Sequence, residues 1–266
     1  MPPHDRTGFG WVSLTTDYGT SDGFVAACHG VIARLAPQVR VIDVTHQVAP
    51  GDVARAAAVL AQAVPHLPPA VHVAVVDPGV GTARRAVAVQ AAGGILVGPD
   101  NGLLMWAADA LGGVVAAVEL TNESWFARPV SRTFHGRDVF APVAARLAAG
   151  AAVGDAGTAL DPAHLVRLPE PVVTSGDGWI EAEVLTVDRF GNVQVAAPGA
   201  ALAALGPALT VGGVAAVRGG TFADAPAGGL VVYPDSSDRV AIAINGGRAA
   251  VVLAVTPGDV LRVATA

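Results

Sequence analysis

Cysteine is nearly missing from the 266-residue chain: Cys28 stands alone, so an internal disulfide and a cysteine-built metal cluster are both excluded. That fits a reducing compartment, with the cytoplasm as the expected location, and Cys28 itself reads as a small buried hydrophobe without a redox task. Charge is also scarce, at 14% of residues, with a formal net charge of -6 and no Lys/Arg run. A nucleic-acid partner and a polybasic membrane contact are therefore not expected. Apolar stretches long enough to span a bilayer are lacking, because Pro, Gly or charge interrupts each one, and the opening MPPHDRTGFGW lacks the pattern of a signal peptide. Chemical signatures are missing as well. No HExxH occurs, and His4, His29, His46, His66, His72 and His164 are scattered without metal-ligand spacing, so no metal is expected. No GxSxG elbow or cysteine-nucleophile context is present, which disfavours covalent acyl or thiol chemistry.

What is present is a chain 52% hydrophobic, rich in Ala, Val and Gly, with the composition of a packed interior. Its length suits two unequal domains. Apolar runs at Trp11–Thr16, Val39–Val44 and Val71–Val76 read as strands, separated by helical stretches at Phe24–Leu35 and Asp52–Val64. A strand pair around Gly93-Gly94 spans Ala86–Val97, and helices are expected at Gly102–Leu111 and Val139–Ala149, with Gly150 as a stop. Strands alternating with helices imply an α/β domain whose mainly parallel sheet is covered by helices. Beyond about Asp161 the texture changes to short β-like runs, at Ile180–Val187, Asn192–Val195, Ala208–Val211, Val214–Val217, Gly229–Tyr233, Val240–Ile244 and Leu261–Val263. They suggest a smaller all-β, barrel-like domain. The Pro-containing stretch Leu168–Ser175 is the expected linker, dividing the chain into 1–170 and 171–266. Ala196–Gly206 fits a short helix or a loose loop equally.

In an open parallel sheet, ligands bind beyond the carboxyl ends of the strands, where the polar loops after Thr16 and Val76 fall. Asp17 and Asp77 arrive at that rim. Asp17 is either an N-cap, although several residues ahead of its helix, or a ligand-binding carboxylate. Gly79-Val80-Gly81-Thr82 lacks the spacing and the lysine of a phosphate loop and reads as a turn. That turn would let Arg84 fold back on Asp77, as a structural ion pair or as part of a site. His135 adds an imidazole at the mouth of a helix. In the second domain, Asp188, Phe190 and Asn192 offer a carboxylate, an aromatic face and an amide, suited to gripping a planar base, though a tight turn explains Gly191 and Asn192 as well.

Several ordered segments bear a resemblance: TTDYGTSDGFVAACHGVI, DVTHQVAPGDV, VVDPGVGTARRAVAV, GPDNGLL, FHGRDVFAPVAARLAAG and VDRFGNVQ. Together they span nearly the whole chain and resemble the S-adenosylmethionine hydroxide adenosyltransferase family, hydrolytic relatives of the fluorinases and chlorinases. The resemblance implies splitting of S-adenosyl-L-methionine by water into adenosine and L-methionine, with no cofactor, by homotrimers whose active sites lie between domains of neighbouring subunits. It places the catalytic set on Asp77, Arg84 and His135, and the ribose-binding aspartate on Asp17. Phe190 and Asn192 would hold adenine and Asp188 the methionine amino group. Tyr233, Ser237 and Val240 match a later substrate-binding strand entry, where the wording departs from the family pattern. The halogenating members carry tyrosine where Asp77 stands and a halide-contacting serine where Gly136 stands.

On this reading water attacks ribose C5′ while neutral methionine thioether leaves, so the task is to supply the nucleophile rather than to activate the leaving group. Asp77, Arg84 and His135 would hold that water in line. The proton acceptor stays open between His135, which titrates near neutrality, and Asp77. The rival readings are a halide-using adenosyltransferase, a non-catalytic adenosine or S-adenosylmethionine binder, and an α/β nucleotide-binding protein.

Overall fold

The computed structural model describes residues 8–266; the opening segment, including His4, lies outside them. Two compact units emerge, Met1–Leu168 and Pro169–Ala266. The first contains β1 (Trp11–Thr16), α1 (Phe24–Leu35), β2 (Arg40–Thr45), α2 (Val53–Ala63), β3 (Val71–Val75), β4 (Ala86–Ala91), β5 (Gly94–Pro99), α3 (Met105–Ala110), β6 (Val114–Glu119), α4 (Ala141–Ala148) and β7 (Thr158–Leu160). Its sheet runs β2-β1-β3-β5-β4-β6-β7. The β2, β1, β3 and β5 neighbours pair in parallel, whereas β4 and β7 run against their neighbours. Every residue of β3 is buried, because helices cover both faces of the strand. Val71, Val73 and Val75 pack with residues of α1 and α4. The opposite face packs Ala74 and Val76 against α2 and α3.

Asp52 caps α2, its carboxylate accepting from Arg55 N at 3.0 Å. Helix α1 starts after Gly23 with no side-chain cap, so Asp17 is not its N-cap. Helix α4 is entered through a π-helical turn, Gly136–Phe140. That wider turn gives the expected helix an earlier start than Val139.

The second unit comprises β8 (Val173–Gly176), β9 (Trp179–Val187), β10 (Val193–Pro198), β11 (Ala208–Val211), β12 (Val214–Arg218), β13 (Leu230–Pro234), β14 (Arg239–Ile244), α5 (Ala249–Leu253) and β15 (Val260–Thr265). Strand β9 pairs with β15 along one edge, and on the other with β8 early and β10 late. The β9–β10 pairing closes β9-β10-β14-β13-β12-β11-β15 into a barrel and removes its open edges. The burial of β9 alternates strictly, as a strand with one face inside a barrel requires. The Ala196–Gly206 segment resolves into the end of β10 followed by a 3-10 turn, Gly199–Ala204.

Strands β6, β7 and β8 and helix α5 are additions to the sequence reading. β8 occupies part of the expected linker, and β7 has only three residues, too few to show a period. Among the described residues no helix is long and apolar enough to cross a membrane.

Candidate active site

The carboxyl ends of β1 and β3 deliver two carboxylates to one cleft of about 330 Å³, bordered by Asp17, Tyr18, Asp77, Thr133, His135 and Gly136. The loops around it are laced together by their backbones. Gly19 N donates to the His46 carbonyl at 2.8 Å, and Gly51 N donates to Asp17 Oδ2 at 3.0 Å. A carboxylate accepts several hydrogen bonds, so the Gly51 contact orients Asp17 without exhausting it.

After β3 the chain turns tightly: Thr82 N and Thr82 Oγ1 both donate to the Gly79 carbonyl, the latter at 2.7 Å. Gly81 adopts φ +76°, and a Cβ there would lie 2.3 Å from the Arg132 carbonyl oxygen, so only glycine fits the turn. The chain thus doubles back and Arg84 meets Asp77. Arg84 Nε lies 3.1 and 3.0 Å from the two carboxylate oxygens, and Nη2 also donates to Oδ2. The Asp77 side chain is 5% exposed and that of Arg84 12%, which places the pair out of bulk water. The guanidinium packs over the Phe140 ring, 5.3 Å from its centroid.

Arg84 Nη2 also donates to His135 Nδ1 at 2.8 Å. A guanidinium has only hydrogens to give, so Nδ1 must accept and any imidazole proton sits on Nε2. Burial first, and the Arg84 charge second, hold the His135 pKa below its ordinary value. The imidazole is therefore neutral at pH 7. Asp77, Arg84 and His135 form one directional chain, carboxylate to guanidinium to imidazole.

Tyr18 is a member the sequence reading passed over. A Cβ on Gly136 would lie 2.1 Å from Tyr18 Oη, so the phenol fills the space that a side chain at 136 would take. Burial, followed by nearby acidic groups, pushes its pKa up, so it remains a neutral hydroxyl. The sequence signal was a glycine beside a candidate histidine, but which side chain approached it was a matter of folding.

In the second unit Asp188, Phe190 and Asn192 lie in the β9–β10 turn. Asp188 Oδ1 accepts from Phe190 N at 2.8 Å and Asn192 N at 2.9 Å, while Oδ2 accepts from Asn192 Nδ2 at 2.8 Å. The carboxylate thus builds the turn. Phe190 is 66% exposed, with the Arg189 guanidinium over its ring at 5.6 Å from the centroid. Tyr233, at the end of β13, lies near Asp188 and Asp235, and its pKa is raised by burial and then by those two charges. Ser237 N donates to Asp235 Oδ1 at 2.8 Å in the turn before β14. Val240 is fully buried in the barrel, so its backbone alone could meet a ligand.

Residues 12–157 match the SAM hydroxide adenosyltransferase N-terminal domain, and residues 182–262 match the C-terminal domain of the same family. The chain is 68% identical over 253 residues to the (R)-S-adenosyl-L-methionine hydrolase of Salinispora arenicola, covering 95% of this chain and 97% of that one. It is 30% identical over 208 residues to the fluorinase of an Actinoplanes species, covering 68% of this chain and 70% of that one. A solved structure of a conserved protein from Thermotoga maritima superposes with a TM-score of 0.87 at 35% identity, covering 95% of this chain and 99% of that one.

Proposed function

Because the chain belongs to the SAM hydroxide adenosyltransferase family, we propose that it hydrolyses S-adenosyl-L-methionine to adenosine and L-methionine, water attacking ribose C5′. The observation that carries the reading is Arg84 bridging Asp77 and His135 at the edge of the cleft. Asp77 fixes the guanidinium in three contacts, and the fixed guanidinium orients the imidazole. With Nδ1 occupied, His135 presents Nε2–H to the cleft and holds the attacking water by donating to it. As the C5′–O bond forms and the C5′–S bond breaks with its electron pair going to sulfur, the attacking oxygen gives its proton to the Asp77 carboxylate, and the Arg84 charge favours the hydroxide character that develops. Neutral thioether leaves a sulfonium centre without acid catalysis, so the residues need only position and polarise the nucleophile. Asp17 accepts from the ribose diol. Phe190 and Asn192 hold adenine, Asp188 the amino group, and Tyr233, Ser237 and the Val240 backbone complete the substrate contacts.

The substrate is the only small molecule the reaction requires, and the chain acts as a homotrimer in the cytoplasm. The net charge of -6 supports a small-molecule substrate over a nucleic-acid partner. The Salinispora relative is named for the (R) sulfonium epimer, and we extend that preference to this chain. The test is to incubate the protein separately with each epimer in ¹⁸O-water, with and without halide, following products by chromatography and mass spectrometry. The expected result is equimolar methionine and 5′-labelled adenosine, faster from the (R) epimer. Formation of 5′-halo-adenosine only, or binding without turnover, would overturn hydrolysis.

A further inference from the structure

Outside the cleft, α1, β2 and the loop after β2 bring three metal-ligating side chains to one point. His29 Nε2 and His46 Nε2 lie 2.8 and 3.0 Å from the same atom, Asp43 Oδ1. The His29 contact is a hydrogen bond. The His46 contact falls outside hydrogen-bonding geometry, and among the described residues Nε2 has no hydrogen-bond partner, although the residue is only 6% exposed. A buried ring nitrogen whose only polar neighbour among the described residues, the Asp43 carboxylate, is poorly aligned with it leaves room for an ion to bridge the two. The other ring nitrogen, Nδ1, is held by Thr16 Oγ1 at 2.8 Å, and Thr16 Oγ1 in turn accepts from Tyr18 N at 3.2 Å. A hydroxyl that pins one imidazole nitrogen and aims the other outward is the arrangement that orients a metal-ligating histidine.

We propose that His29, Asp43 and His46 bind one divalent transition-metal ion of the zinc class, with water completing the coordination. Two imidazoles and one carboxylate, with no thiolate, suit a borderline cation better than magnesium or calcium, which prefer oxygen ligands throughout. The three ligand atoms lie within 4.8 Å of one another, so only small side-chain rotations gather them around an ion. The side chains of His29 and Asp43 are 36% and 41% exposed, which gives the ion a route from solvent. Bound there, the ion braces rather than reacts. The His46 carbonyl accepts from Gly19 N, and Thr16 immediately precedes Asp17, so the site steadies the loop that carries Asp17 and Tyr18.

The test uses tag-free, metal-stripped protein titrated with Co²⁺, read by visible absorption, and with Zn²⁺, read by calorimetry and by the thermal midpoint. The expected result is one equivalent bound, a cobalt ligand-field spectrum with nitrogen ligation, and a thermal midpoint that rises with Zn²⁺ concentration. His29→Ala removes an accessible ligand without opening the core, so its circular dichroism should match the parent while its Zn²⁺ affinity falls at least about 100-fold. Thr16→Val, which releases His46 Nδ1, should cost about 10- to 100-fold in affinity. Absence of saturable binding to the parent, or equal affinity in His29→Ala, overturns the site. Neither result depends on hydrolytic activity.

Discussion

Arg84 makes two kinds of contact at once, a multidentate pairing with Asp77 and a single bond to His135. Lysine keeps the charge but concentrates its donors on one atom and cannot reproduce that fork. Arg84→Lys should therefore lower the turnover number for adenosine release by about 10²- to 10³-fold with little change in KM, a loss typical of a fixed charge-stabilising donor. Full turnover in this variant would remove the fork from the mechanism. His135 sets the pH response. Its pKa lies below the ordinary value of about 6.5, and protonation would place a hydrogen on Nδ1 against the guanidinium. Activity should stay level through neutrality and fall only as pH drops below that value, and a limb centred above pH 7 would contradict the assignment. At Gly136, serine would collide with Tyr18 Oη. Gly136→Ser should destabilise the protein by about 1–3 kcal/mol, as overpacking does. Adding Tyr18→Phe should recover part of the loss in a double-mutant cycle read by denaturant unfolding. The candidate residues Asp17, Asp77, Arg84 and His135 were legible because polar groups followed apolar strands or opened a helix. Tyr18 was not, since nothing local records which ring packs against Gly136.

Strand β3 carries a polar residue in the middle of an otherwise apolar run. His72 is 1% exposed, its Nδ1 lies 2.8 Å from Ser13 Oγ of neighbouring β1, and burial pushes its pKa down to about 4. The unfolded chain takes up this proton near pH 6.5 and the folded chain only near pH 4, so stability falls as pH drops between those values. At about 1.36 kcal/mol per pKa unit, the loss is on the order of 3 kcal/mol once pH 4 is reached. Unfolding in urea at pH 7 and pH 5 should show the onset of this decline, and His72→Asn, which retains a polar atom for Ser13, should flatten it. An equal pH slope in the variant would assign the effect elsewhere. The long elements were readable because their periods repeat: α1 has the expected bounds, and β9 alternates through nine residues. Strand β7, with three residues, and α5, with five, offer too little pattern; β7 is fixed by pairing with β6, and Ala250 N at the start of α5 by the Gly191 carbonyl. Strand β8 was hidden by the prolines ahead of it, which read as a linker until pairing with β9 fixed the segment.

Each unit has its own hydrophobic core, the first on both faces of its sheet and the second inside the barrel. Exposed residues run through Val166, Arg167, Pro169 and Glu170, where the chain passes from one unit to the other. Brief digestion with a nonspecific protease should cut first between 166 and 172 and yield two resistant fragments, identified by mass. Early cleavage within either sheet would argue against this division. The sequence by itself determined the class of each unit, because buried parallel strands demand long apolar runs and barrel strands demand alternation, and it placed Asp17 and Asp77 beyond strand ends and His135 at the mouth of a helix. Tertiary structure decided the rest. The pairing of β15 with β9 that completes the barrel, the bond from Arg84 to His135, the seat of Tyr18 against Gly136 and the approach of His29 to Asp43 join residues separated in the chain, whose distances no local periodicity encodes.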